Sequence, residues 1–179
     1  MAAPPPPSLR RVPGAMTVGA VAVIVAGLVL LGWALTHRAG SQALPTTHTP
    51  ISQATVDPAD YAARLRSASN DERAHAGLPR LADAPCAAAV AQQRAELLVG
   101  QPLQHAPLDA LRRACPDASA VAENLSRAAA LPGAVVAAWM ASPGHRANIL
   151  DPTLTGMVVA CTHDGDQMLC SQLFVGKAG

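Results

Sequence analysis

Trp139-Met140-Ala141-Ser142-Pro143-Gly144-His145-Arg146-Ala147-Asn148-Ile149-Leu150 places an indole, a Ser-Pro-Gly break, an imidazole and a guanidinium in twelve consecutive residues. Compositional bias does not account for it, because the 179-residue chain holds only four aromatic residues, Trp33, Tyr61, Trp139 and Phe174. Upstream, Ala122-Glu123-Asn124-Leu125 puts a carboxylate into a stretch dominated by alanine, leucine and valine. Before the tryptophan, Pro132 can open a helix to about Ala141, with Val135, Ala138 and Trp139 at i, i+3 and i+4 as its apolar stripe. Ser142-Pro143-Gly144 reads as its stop. Trp139 then belongs to the core rather than to a ligand platform.

Working outward, Asp57-Pro58 is a helix start, with a side-chain acceptor at the cap and a proline whose missing N–H costs nothing there. This helix runs to about Ala76, where Gly77 supplies a left-handed stop before Leu78-Pro79. Further helices are expected from about Pro85 to Val99, stopped by Gly100 and Pro102, and from Pro107 to Ala114, stopped before Pro116. Two strands close the chain, about Gly156 to Thr162 and Gln167 to Val175. Their apolar composition on both faces predicts a sheet covered by helices. Gly165-Asp166 suits the two-residue loop of a type II′ hairpin between them, with His163 solvated near the turn.

The amino-terminal third is different in kind. Residues 1–15 begin Pro4-Pro5-Pro6-Pro7 and predict an extended tail without amide donors for helix or sheet. Residues 16–35 are twenty consecutive uncharged residues, about 30 Å as a helix, and account for much of the positive mean hydropathy of +0.22. We read them as a transmembrane or signal-anchor helix that exports the remainder, with Trp33 at the interface. Cleavage near Ala39, Gly40, Ser41 and Ala43, giving a secreted protein, is the alternative. Residues 36–56, rich in Ser, Thr, Gln and Pro, form a linker, and the folded domain occupies 57–179.

Charge excludes one class of partner. Without Arg10, Arg11 and Arg38, the 13 Lys and Arg fall to ten against 12 Asp and Glu, so the exported part is slightly acidic. No nucleic-acid surface is indicated, and too few aromatics exist for base stacking. No Gly-x-Ser-x-Gly elbow, phosphate loop or dinucleotide fingerprint occurs. The four cysteines, all in the exported part, predict two disulfides with three possible connectivities. The hairpin register sets Cys161 opposite Cys170 at a non-hydrogen-bonded site, where Cα atoms lie about 4.5 Å apart, within disulfide reach. Disulfides would leave no free thiolate for nucleophilic chemistry.

The tryptophan-led segment, Ala122-Glu123-Asn124-Leu125 and the Gly77-Leu78-Pro79 helix stop together resemble the CAP superfamily, the SCP-like domain of cysteine-rich secretory and pathogenesis-related proteins. The likeness is to its small bacterial members. It implies an α+β fold, a three-layer α-β-α sandwich, here preceded by the anchor helix. It also implies the pairs Cys86 with Cys115 and Cys161 with Cys170, from cysteines at comparable places in similar proteins. The longer of these loops would contribute on the order of 3 to 4 kcal/mol in the chain-entropy model.

The family's cleft typically holds two His and two Glu, in some members with a divalent metal. His105, in Leu103-Gln104-His105, matches the first histidine, and Glu123 matches the first glutamate. The second glutamate falls where this chain has Ser142-Pro143, and the second histidine where it has Thr153-Leu154-Thr155-Gly156. His145 could approach the cleft and give a His105, Glu123, His145 set for a divalent ion, zinc or magnesium. Two functions follow as expectations. One is an extracytoplasmic binding or interaction module for lipid, sterol or cell-envelope ligands, with the membrane as partner through residues 16–35 and no catalysis. The other is a metal-assisted, peptidase-like hydrolase in which His105 and His145 hold the ion and Glu123 activates water. Beside these stand structural roles, Glu123 pinning a loop and His145-Arg146 capping the preceding helix. Peptide mapping by mass spectrometry without reductant is expected to recover Cys161 linked to Cys170, whereas a Cys86 to Cys161 crosslink would refute the hairpin register.

Overall fold

A computed structural model describes residues 53–177. The tail 1–15, the apolar segment 16–35 and residues 36–52 of the linker lie outside the described residues. Among the described residues, no helix is long and apolar enough to cross a membrane. In chain order the elements are α1 (Pro58–His75), β1 (Ala82–Asp83), a 3-10 turn (Pro85–Ala87), α2 (Ala88–Leu97), α3 (Asp109–Ala114), β2 (Ala118–Ala128), α4 (Pro132–Ala141), α5 (Pro143–Ile149), β3 (Gly156–Asp164) and β4 (Gln167–Lys177).

Local signals set the ends of α1. The Asp57 carboxylate accepts the Ala59 amide at 2.8 Å, and Pro58 occupies the first turn. At the other end Gly77 takes φ 73°, which lets the Leu78 amide reach back to the Arg73 carbonyl at 2.9 Å. The β3–β4 hairpin is equally local. Asp164 pairs with Gln167 around Gly165-Asp166, and Gly165 adopts φ 63°, the left-handed conformation required at the first loop position. That register sets Cys161 against Cys170, whose disulfide spans a Cα separation of 4.1 Å, while Cys86 and Cys115 are joined across 5.4 Å.

The sheet is open, in the order β1-β3-β4-β2, with β1 parallel to β3 and the other pairs antiparallel. Alternation along β3 gives it two buried faces. Met157 and Cys161 join Tyr61 and Leu65 of α1, Val136 and Trp139 of α4 and Ile149 of α5 in one cluster. Val158 and Ala160 pack with Ala91 of α2, Leu111 of α3 and Leu173 of β4 in another. The Tyr61 hydroxyl donates to the Ala130 carbonyl at 2.7 Å, and burial pushes its pKa up to about 12.

Several sequence expectations need correcting. Ser142-Pro143 ends α4 but also opens α5, because proline suits a helix start and the Arg146 amide already bonds the Ser142 carbonyl at 2.9 Å. The buried stripe of α4 is Val135, Val136 and Trp139; Ala138 faces solvent. Glu123 lies in an unanticipated strand, β2, rather than in a loop, since pairing with β4 overrides weak local propensity. His163 is a half-buried member of β3 and not a solvated turn residue.

Among the described residues Arg73 is the largest fully buried side chain, 1% exposed. Its Nε donates to the Pro79 carbonyl at 2.9 Å, and Nη1 donates to the Ile149 and Asp151 carbonyls, both at 2.8 Å. Nη2 reaches the Leu154 carbonyl at 3.4 Å. Burial lowers the guanidinium pKa and the nearby Asp151 opposes this. Replacing Arg73 with Met is expected to leave these carbonyls without a donor and to lower unfolding free energy by about 3 kcal/mol. Urea denaturation measures this, and a loss below about 1 kcal/mol would contradict it.

Candidate functional site

The period of two along β2 sends Glu123 to one face of the sheet and Asn124 to the other. Each is the centre of a network. The Glu123 side chain, 2% exposed, is gripped by Arg94 of α2: Nε donates to Oε1 at 2.9 Å and Nη2 to Oε2 at 3.1 Å. This two-pronged geometry is the strong form of a guanidinium–carboxylate pair. Arg94 Nη2 also donates to the Gln104 carbonyl at 3.3 Å, which steadies the loop carrying His105. His105 Nδ1 lies 2.9 Å from Glu123 Oε2. A carboxylate held by Arg94 only accepts, so Nδ1 of His105 donates to it, from a ring that is 58% exposed.

On the other face Asn124 is fully buried. Its Nδ2 donates to Gln172 Oε1 at 3.0 Å and to the His145 carbonyl at 3.3 Å, and its Oδ1 accepts from Asn148 Nδ2 at 2.9 Å. Asn148 Nδ2 also reaches the Glu123 carbonyl at 3.1 Å. Gln172 Nε2 continues the chain to Ser69 Oγ of α1 at 2.8 Å. These bonds hold α5 across the β2 edge and bring the His145 ring to 6.5 Å, centroid to centroid, from both His105 and Trp139. Trp139 is core, 3% exposed, with Nε1 donating to the Leu125 carbonyl at 3.1 Å.

His105, Glu123 and His145 therefore share one neighbourhood, but the set expected to hold a divalent ion does not form. Among the described residues, no three His, Cys, Asp or Glu side chains converge as metal ligands. The physical reason is Arg94, whose fork covers both oxygens of Glu123 while the protonated side of His105 faces the same carboxylate. A divalent cation would have to displace a guanidinium, so these residues do not fit one. Nor does His145-Arg146 cap the preceding helix, because both residues lie inside α5. Arg94, Asn148 and Gln172 were not anticipated as site residues. The available signals were a basic residue inside the alanine-rich run 87–95, and Asn148 within the opening segment.

The chain belongs to the CAP family, the cysteine-rich secretory protein family, whose family model matches residues 66–175. It is 34% identical over 76 residues to the uncharacterized protein YkwD of Bacillus subtilis, an alignment covering 42% of this chain and 29% of that relative. The matched region is thus under a third of the relative's length. The fold resembles a cysteine-rich secretory protein from Staphylococcus aureus, at TM-score 0.59 and 20% identity over 69% of this chain and 40% of the other. It also resembles an SCP-domain extracellular protein from Bacillus anthracis, at TM-score 0.58 and 24% identity, covering 67% and 41%. An outer surface protein from Borrelia burgdorferi matches at TM-score 0.58 and 19% identity, covering 69% of this chain and 97% of that protein.

His145 titrates below its ordinary value, first because burial disfavours the charged ring and second because His105 repels it. With the folded pKa below the unfolded value of about 6.5, its contribution to stability is complete above that value and is lost as pH falls through the folded one. Urea midpoints measured from pH 7 to pH 5 are expected to fall less steeply in His145→Gln than in the parent. Parallel slopes would remove His145 as the cause.

Proposed function

We propose that this chain is an extracytoplasmic CAP-domain binding module, a three-layer α-β-α sandwich carried by residues 16–35 as a membrane anchor, whose cleft around His105, Glu123 and His145 takes a lipid, sterol or cell-envelope ligand. The observation that carries this reading is the Arg94 fork on Glu123. A hydrolytic role needs that carboxylate free to polarise water or hold an ion, whereas here its oxygens are already engaged. Beside it lies a pocket of about 290 Å³ where Ala106, Leu108, Val121 and Ala122 provide apolar wall and His105 and Asn148 provide polar contacts. Such a mixture suits a ligand with an apolar body and a polar end. The two disulfides fit an oxidising compartment, as do relatives described as extracellular or outer-surface proteins.

Native mass spectrometry of the full chain in detergent, titrated with a panel of phospholipids, sterols and envelope glycans, is expected to retain at least one class. Glu123→Gln should weaken that capture at least tenfold and lower stability by about 3 kcal/mol, because it strands the Arg94 charge. Stoichiometric zinc or magnesium in the purified protein, lost in His105→Ala, would overturn the reading in favour of metal chemistry.

A further inference from the structure

At the opposite edge of the sheet from the cleft, β1 covers β3 for only two residues, Ala82 beside Gly156 and Asp83 beside Met157. The last rung is the Ala84 amide donating to the Met157 carbonyl at 3.3 Å. Pro85 then has no amide to offer, and the 3-10 turn carries the chain away into the Cys86–Cys115 disulfide. Hydrogen bonding in an antiparallel pair alternates, and the Asp164–Gln167 hairpin pair is a bonded one. Val159, Cys161 and His163 therefore turn their N–H and C=O groups away from β4, in phase with Met157. Among the described residues none of these outward backbone groups has a partner.

This open edge is not on the outer surface of the protein. From Met157 to Thr162 it forms the floor of a groove of about 850 Å³ between α1 and α2, with His163 just beyond the lining. Small side chains widen it: Ala59 and Ala63 on the α1 wall, and Ala88 on the α2 wall. With α1 on one wall and α2 on the other, the groove suits a single extended strand better than the edge of a second folded sheet. From Val159 to His163 the open edge spans about 13 Å between Cα atoms, enough to pair with a five-residue strand. Charge favours a basic occupant. Arg66 is committed to its ion pair with Asp83, whereas Asp57, beyond its capping bond, leaves a negative charge in the groove.

We propose that the β3 edge is a second binding site, which captures an extended polypeptide segment of alternating small apolar and polar residues, with a lysine or arginine near Asp57, as an added strand on Val159, Cys161 and His163. Main-chain hydrogen bonds would supply affinity and the helix walls selectivity. The site is independent of the cleft reading, because it uses none of the same residues and lies at the other end of the strand order.

The test uses the full chain and a fluorescein-labelled heptapeptide alternating valine with threonine and lysine. Binding by fluorescence anisotropy is expected, with affinity at least tenfold lower for the same peptide methylated on every amide nitrogen. Ala63→Trp, a change at an exposed position of α1, should fill the groove and lower affinity at least tenfold while leaving the thermal midpoint near the parent's. Hydrogen exchange at the Val159, Cys161 and His163 amides should be fast in the free protein and slow at least tenfold with peptide. Equal affinity for the methylated peptide, or no effect of Ala63→Trp, would overturn the proposal. So would amides already protected without peptide, which would assign the edge to another part of this chain or to a second copy.

Discussion

The corner where α1, α5 and the entry to β3 meet is held by one buried guanidinium. Arg73 satisfies carbonyls from Pro79, Ile149, Asp151 and Leu154, groups left over where helices end and loops turn. Burying a cation is costly, and four carbonyl dipoles offset the loss of water where no carboxylate is in direct contact. The arrangement has consequences beyond stability. Two of those carbonyls lie at or just beyond the end of α5, so Arg73 fixes the helix that presents His145 and Asn148.

From that corner the structure reaches the cleft through amide side chains. Asn148 meets Asn124, Asn124 meets Gln172, and Gln172 returns to Ser69 on α1, the same helix that carries Arg73. The loop of bonds closes around β4 and leaves little freedom for α5 to shift. On the other face of β2 Glu123 is held by Arg94 of α2, through both carboxylate oxygens, and by His105 Nδ1 at Oε2. The cleft therefore combines a rigid wall, α5 on its amide network, with an electrostatic one, Glu123 neutralised by a guanidinium. The Arg94 pair turns the Glu123 carboxylate inward and leaves the His105 ring as the group facing solvent.

Much of the scaffold could be read from the chain because the relevant signals are short-range. Asp57-Pro58 and Gly77 bound α1 through backbone preferences that act within a turn, and Gly165 sets a hairpin whose register alone places Cys161 against Cys170. The family likeness pointed to His105 and Glu123, which the fold sets 2.9 Å apart, whereas His145 had no counterpart in that likeness and comes near His105 only through the placement of α5. Where local signals are ambiguous the reading failed. Ser-Pro is as good a helix start as a stop, and a strand such as Ala118–Ala128, with few β-branched residues, owes its existence to its partner β4.

The sequence by itself determined both ends of α1 and the hairpin register with its disulfide, since each depends on the conformational limits of a few adjacent residues, and its separated motifs carried the family likeness. Only the tertiary structure decided the state of the cleft carboxylate. Whether Glu123 meets an ion, a water or a guanidinium depends on which side chain lies across from it after desolvation, and Arg94 is 29 residues away along the chain. The same holds for the open β3 edge, which exists because Pro85 removes β1 from a strand more than seventy residues later in the sequence. Local geometry is encoded in neighbours, whereas electrostatic pairing and exposed edges depend on what packing brings close and what it leaves uncovered.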